Sequence, residues 1–201
     1  MWASDINNNK IYKITQEGIP IKSFAAPTPN NISIDKHGFI WAASNNTMIY
    51  KYTQDGILLK SFVRPGPHPP RGLAIDKHGF IWFMNIVGEI WKLTQDGTIL
   101  DNFDVLDNFP QGLGIDRQGF LWVCYATSLY KIRQDSTIIK ILNPALLNMY
   151  GLALDKHGFL WVHDAAGLNY LVKINQKAEV IKTSGALPYI PTGLAIEGLF
   201  T

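Results

Sequence analysis

The chain has a single cysteine, Cys124, among 201 residues. An internal disulfide is therefore impossible, and a cysteine-rich metal site is excluded. Charge is also scarce: Asp, Glu, Lys and Arg make up 17% of the residues, and 18 basic against 16 acidic groups leave a net +2. A balance so small and evenly spread argues against a nucleic-acid surface. No window approaches eighteen consecutive apolar residues, so no membrane-spanning helix is expected. No basic-then-apolar leader precedes Trp2, so no export signal is read and the cytoplasm is the default expectation. Gly-x-Ser-x-Gly, Walker and dinucleotide-binding glycine patterns are missing as well.

What the chain does have is repetition, and Arg71 to Phe103 shows one unit of it. Gly72-Leu73-Ala74-Ile75 is a short apolar run, and Asp76-Lys77-His78-Gly79 after it reads as a tight turn. There Asp can bond the backbone two residues on, and Gly supplies positive φ without steric cost. Phe80 to Met84 is rich in aromatic and β-branched residues, and Glu89 to Leu93 alternates with period two. Gln95-Asp96-Gly97 favours a primed hairpin turn into a fourth strand, Thr98 to Phe103. Four short strands joined by hairpins form an antiparallel meander, which needs neighbours to bury its faces.

The apolar-Asp-x-x-Gly-x-x-Trp core recurs at Ile34–Trp41, Ile115–Trp122 and Leu154–Trp161, and Trp2 sits in the matching place at the start. The tryptophans at 2, 41, 82, 122 and 161 are spaced 39, 41, 40 and 39 residues apart. A lysine holds the next-to-last place of every third strand: Lys13, Lys51, Lys92, Lys131 and Lys173. A period near forty with four strands per unit means radial blades. The expected fold is therefore all-β, a five-bladed β-propeller of four-stranded antiparallel blades. First strands begin only at Ile32, yet a fifth appears at residues 193–197. That segment is expected to complete the N-terminal blade and close the ring, hiding edges that would template aggregation. The single domain 1–201 then divides into blades 193–197 with 1–24, 31–62, 72–103, 112–142 and 151–183. A piece of a larger propeller is the runner-up.

Residues shared by all units are expected to build the ring. The tryptophans pack between blades, and Asp35, Asp76, Asp116, Asp155 and Glu197 bond their own hairpins. The lysines reach over neighbouring strands with their ammonium groups in water. His37, His78 and His157 share one turn position on separate blades and are not expected to converge within about 2 Å of one ion. Cys124, between Val123 and Tyr125, reads as packing rather than thiolate chemistry.

Function is expected where equivalent residues differ. The lead-in positions of the first strands are Asn30, Arg71, Gln111, Tyr150 and Thr192, and three residues past each Trp come Asp5, Ser44, Asn85, Tyr125 and Asp164. Both sets fall on one face, round the mouth of the central channel, with His163 beside Asp164.

The units resemble those of NHL-type propellers and of the related streptogramin lyases and gluconolactonases. Trp2-Ala3-Ser4-Asp5-Ile6-Asn7-Asn8-Asn9-Lys10-Ile11 is similar to the NHL pattern, and Trp82-Phe83 with Gly88, Lys92-Leu93-Thr94 and Gly97 looks like a streptogramin-lyase blade. The resemblance covers essentially the whole chain and implies a propeller, although the lyases have seven blades and five units are read here. Lyase activity in that family implies a His just before a first strand, with a further His and Glu residues on the same face. None of the five lead-in positions here is His. The gluconolactonase metal set, acidic and amide groups in the tunnel, has no residue-by-residue match.

The leading functional expectation is a non-enzymatic module that binds a polar small molecule, a glycan or a protein segment at the channel mouth. Its ligand-binding residues would be Asp5, Asn30, Arg71, Asn85, Gln111, Tyr125, Tyr150, His163, Asp164 and Thr192. One alternative is a lyase or lactonase built on Asp5, His163 and Asp164, with a divalent cation at the mouth. Another is a structural or assembly role through the variable loops. No catalytic or metal-ligating residue is assigned, and no cofactor beyond that optional cation. A monomer without nucleic-acid or membrane partners is expected.

Overall fold

The computed structural model describes residues 1–105, 109–165, 169–187 and 191–197. Blade 1 starts with β1 (Trp2–Asp5), β2 (Lys10–Ile14) and β3 (Pro20–Ala25), and blade 2 holds β4 (Pro29–Ile34), β5 (Ile40–Ser44), β6 (Met48–Tyr52) and β7 (Leu58–Val63). Blade 3 holds β8 (Pro70–Ile75), β9 (Ile81–Asn85), β10 (Glu89–Leu93) and β11 (Ile99–Asp104). Blade 4 holds β12 (Gly112–Ile115), β13 (Leu121–Cys124), β14 (Leu129–Ile132) and β15 (Ile138–Leu142). Blade 5 holds β16 (Met149–Leu154), β17 (Leu160–Asp164), β18 (Tyr170–Ile174) and β19 (Val180–Thr183). Finally β20 (Gly193–Ala195) returns to blade 1 and pairs antiparallel with β1, Trp2 opposite Ala195 and Ser4 opposite Gly193. The innermost strands follow one another as β4, β8, β12, β16 and β20, and β20 meets β4. The fold is a closed ring of five four-stranded antiparallel blades, as the period and the strand count imply.

The conserved-looking core of each unit works as one bonded cluster on what we call the lower face, the side of the Asp-x-x-Gly turns. The five repeat tryptophans are buried to 1% exposure or less. Each indole N–H donates to the acid of its own first turn: Trp41 to Asp35 at 3.0 Å, Trp82 to Asp76 at 3.2 Å, Trp122 to Asp116 at 3.1 Å, Trp161 to Asp155 at 3.2 Å. In blade 1 the acid comes from the other end of the chain, Trp2 donating to Glu197 at 2.7 Å. The other oxygen of each Asp accepts backbone N–H groups of its turn, as at His37 and Phe39. The lysines are less hydrated than the sequence reading supposes. Lys51, Lys131 and Lys173 reach the same carboxylates at 3.2, 2.8 and 3.1 Å and lie over the tryptophan rings, because the indole and the acid together make a buried seat for the ammonium.

Neighbouring blades are latched on the same face. Lys13 donates to Gln54, Lys51 to Gln95 and Lys92 to Gln134, each one blade further on. Outside these, Lys22 pairs with Asp55, Lys60 with Asp96 and Lys182 with Glu17, the last carrying the pattern across the closure. At the matching register position of blade 3 stands Asp101, opposite Lys92, so this outer latch is not repeated there. Among the described residues there is no helix.

The axis itself is nearly solid. Asn31, Gly72, Gly112 and Gly193 open the regular part of their inner strands, and Gly151, the bulge residue of β16, holds the matching place in blade 5. Their backbones touch: a Cβ at Gly112 would lie 2.8 Å from the Gly151 carbonyl carbon, and one at Gly193 would lie 2.7 Å from Asn31 Cα. Below this layer a cavity of about 30 Å³ is lined by inner-strand residues such as Ile32, Leu73, Leu113, Leu152 and Leu194. That is room for roughly one water molecule. The channel expected from the fold is thus closed by the touching backbones of this layer, with only that small cavity beneath it.

Candidate functional site: the upper mouth

The inner strands reach the mouth through bulges. The ladder of β4 with β5 steps from Pro29 to Asn31, that of β8 with β9 from Pro70 to Gly72, and that of β16 with β17 from Tyr150 to Leu152. Asn30 and Arg71 are therefore the extra residues, freed from pairing and re-aimed, as bulges do near binding sites. Two bonds tie neighbouring lead-ins together: Asn31 Nδ2 donates to the Arg71 carbonyl at 3.2 Å, and Gly151 N–H donates to the Gln111 carbonyl at 3.1 Å. A Cβ at Gly72 would lie 2.9 Å from Leu113 N, so the strands that carry Arg71 and Gln111 touch as well. The structure therefore gathers Asn31, Arg71, Gln111 and Tyr150 round one arc of the mouth.

The set of candidate residues separates into three groups. Asp5, Asn85 and Ser44 are taken up by their own loops. Asp5 accepts from the backbone of Asn7 and Asn8 and from the Asn8 side chain, at 3.1, 3.1 and 2.7 Å. Asn85 accepts from Val87 and Glu89 N–H at 3.1 Å each and donates to the Glu89 carboxylate. Ser44 bonds the Pro27 carbonyl at 2.6 Å. These are Asx- and Ser-type turn anchors.

A second group joins blades or packs. Asn30 donates to Asn45 at 3.0 Å, while its carbonyl accepts from Ser4. Thr192 bonds Ser4 through its N–H at 2.9 Å and reaches the Pro29 carbonyl with its hydroxyl. Tyr125, 8% exposed, stacks on Tyr130 with ring centres 4.8 Å apart. Asp164 ends β17 partly buried, opposite Met149 and Tyr170 in the ladders.

The third group is left with unmet polar atoms. The Arg71 guanidinium is partly buried and forms no hydrogen bond or ion pair among the described residues, and its Nε is buried without a partner. Burial pulls its pKa down, against the opposing influence of Tyr150. Gln111 Oε1 is likewise buried and unmet. His163 is fully buried; its Nε2 meets Asn169 Oδ1 at 3.2 Å, its Nδ1 is unmet, and its ring centre lies 6.3 Å from that of Tyr150. Burial lowers the His163 pKa, with hydrogen bonds to the Asn169 side chain and the Pro191 backbone and the charge of Asp164 acting the other way. Asn31, which sequence comparison passes over for its neighbour Asn30, belongs here too: it is fully buried and its Oδ1 is unmet. A signal for it exists, since it is the only non-glycine among five aligned positions that are otherwise Gly72, Gly112, Gly151 and Gly193.

Chemically, the arc presents one unpaired cation, several acceptors and an aromatic ring. Among the described residues no group of three or more His, Cys, Asp or Glu is placed to hold a metal. Cys124 is buried at 0% exposure, and burial drives its thiol pKa far up, so it is no nucleophile.

No family model matches the chain, and no curated protein matches it. Solved structures do share its fold. A selenomethionine-substituted virginiamycin B lyase from Staphylococcus aureus superposes with a TM-score of 0.62 at 21% identity, covering 98% of this chain and 71% of that one. A streptogramin B lyase structure gives 0.61 at 24% identity, covering 98% and 70%. A protein of unknown function from Bacteroides caccae gives 0.62 at 14% identity, covering 92% and 72%. At such identities the likeness is one of fold: this chain is a five-bladed propeller whose fold is similar to that of these lyase structures.

Proposed function

We propose that the protein is a non-enzymatic binding module that takes a polar small molecule, a glycan or a protein segment at the upper mouth. One observation carries the reading. Among the described residues, the buried side-chain polar atoms without a hydrogen-bond partner are Asn31 Oδ1, Arg64 Nε, Arg71 Nε, Gln111 Oε1 and His163 Nδ1, and all of them lie on the upper face. A buried unmet polar group costs about 1–3 kcal/mol, so a ligand that supplies partners recovers that energy as affinity. Arg64 shapes the loop beside the mouth, donating to the Gly66 carbonyl at 2.9 Å over the Phe83 ring. The non-catalytic part of the reading is supported by Asp5, whose oxygens serve its turn.

The test is a glycan array and a peptide and metabolite screen on the intact chain, repeated with Arg71→Ala and Tyr150→Ala. Binding that disappears in both variants supports the mouth as the site. Binding unchanged in both overturns it.

A further inference from the structure

Resting on the reading above, we infer that the ligand of the upper mouth carries a carboxylate, held by the Arg71 guanidinium, and beside it an N–H or O–H that donates to Gln111 Oε1. Three observations lead there. Arg71 is the extra residue of the β8 bulge, between Pro70 and Gly72 in the ladder, so its backbone is set to aim a side chain rather than to pair. Its guanidinium is partly buried yet has neither an acid nor a carbonyl partner among the described residues, unlike Arg64 on the same face, which is anchored on Gly66. The unmet atoms on its arc, Gln111 Oε1 and Asn31 Oδ1, are acceptors, so they call for donors that a carboxylate cannot supply itself.

The charge and shape requirements select among anions. A guanidinium offers a planar fork that matches a carboxylate through two parallel N–H···O bonds. One unpaired cation balances one negative charge, and no second cation on this arc would balance a phosphate dianion. The touching backbones of the glycine layer close the axis and keep the carboxylate at the level of Arg71. Tyr150 stands on the far side of Gln111, where its ring can cover the apolar part of the ligand.

The experiment uses pairs of probes that differ only in the acid: N-acetylalanine against its amide, and methyl glucuronide against methyl glucoside, with inorganic phosphate as the competing anion. Binding is read by calorimetry and by NMR shifts of the Gly72, Gly112 and Gly151 amides. We expect each acid to bind about tenfold or more tightly than its neutral partner, the size of a charge-assisted hydrogen bond. Arg71→Ala should erase that preference, Arg71→Lys should keep part of it, and Gln111→Leu should weaken acid and amide alike. Melting temperatures near that of the parent chain show that the variants are folded, and Arg71→Gln provides a second neutral variant if Arg71→Ala does not fold. Equal binding of acid and neutral partner at the mouth overturns the carboxylate inference and leaves the binding-module reading intact. Phosphate binding more tightly than either acid overturns it too. If no probe shifts the mouth amides at millimolar concentration, the inference falls, and the neutral ligands of the wider screen decide the broader reading alone.

Discussion

The two faces of this propeller are made from the same repeat but use their polar groups in opposite ways. On the lower face, Asp116 serves the Gln118 and Phe120 N–H groups, the Trp122 indole and the Lys131 ammonium at once. On the upper face, Arg71, Gln111 and Asn31 each keep a buried atom without a partner among the described residues. The contrast is between closed and open sets of polar groups. Residues that recur every forty positions satisfy one another, and their recurrence marks that duty. Of the residues that change from blade to blade, Asp5, Asn85 and Ser44 are satisfied by their own loops, whereas Arg71 and Gln111 are not.

The comparison can be broken most severely at its lower end. Asp116→Ala should destabilise by about 3–5 kcal/mol, because it strands the buried Lys131 ammonium and the Trp122 N–H together; urea unfolding measures it, and a loss under 1 kcal/mol would remove the lower face from its assigned role. Gly193→Ala should cost about 1–3 kcal/mol, since the added methyl meets Asn31 and Ile32 backbone at 2.7 and 2.9 Å. Acid should act through the same lower-face clusters. Burial opposes ionisation of Asp155 and Glu197, but Lys173 and Trp161, and Trp2 and Lys13, overcome it and hold both below their ordinary 3.8 and 4.5. Depressed carboxylate pKa values contribute stability above those ordinary values that disappears as pH falls through the folded ones. The unfolding midpoint should therefore hold from pH 7 to 5 and drop below about pH 4, less steeply in Asp155→Asn. Lys182→Met removes an exposed latch to Glu17 and should change stability by about 0–1 kcal/mol. Last, Gln111→Leu should cause no loss and can raise stability by up to about 1–3 kcal/mol, because it removes a buried oxygen that has no partner among the described residues. A large loss there would show that the mouth is structural after all.

How much of this could be read beforehand follows from what a repeat encodes. The blade count, the Trp layer and the pairing of β20 with β1 were legible, because each rests on strand period and turn chemistry written several times over. The Lys22–Asp55 and Lys182–Glu17 latches were equally periodic, but they connect different blades and become visible only when neighbouring units are laid side by side. At the mouth the same alphabet serves two purposes. Asp5 and Asn85 looked like ligand groups, yet each sits two residues before a backbone N–H that it accepts, a turn anchor that the Asp-x-Asn and Asn-x-Val spacing could have flagged. Arg71, by contrast, owes its position to a bulge, and the register slip that frees it leaves no mark in residue type. Asn31 did leave a mark, standing where the other units have glycine, but the comparison of lead-ins stopped one residue short of it.

The pairing of β20 with β1 also sets an order of events during synthesis. Blade 1 is begun first and finished last: β1 to β3 emerge early, while Gly193–Ala195 lies at the far end of the repeat array. At a translation rate of roughly 5–20 residues per second, β1 waits roughly ten to forty seconds with one edge unpaired. During that interval the Trp2 indole also lacks its acceptor, Glu197. The nascent chain is therefore an open arc exposing the β1 edge, and it becomes a ring in a single late step that joins β20 to β1.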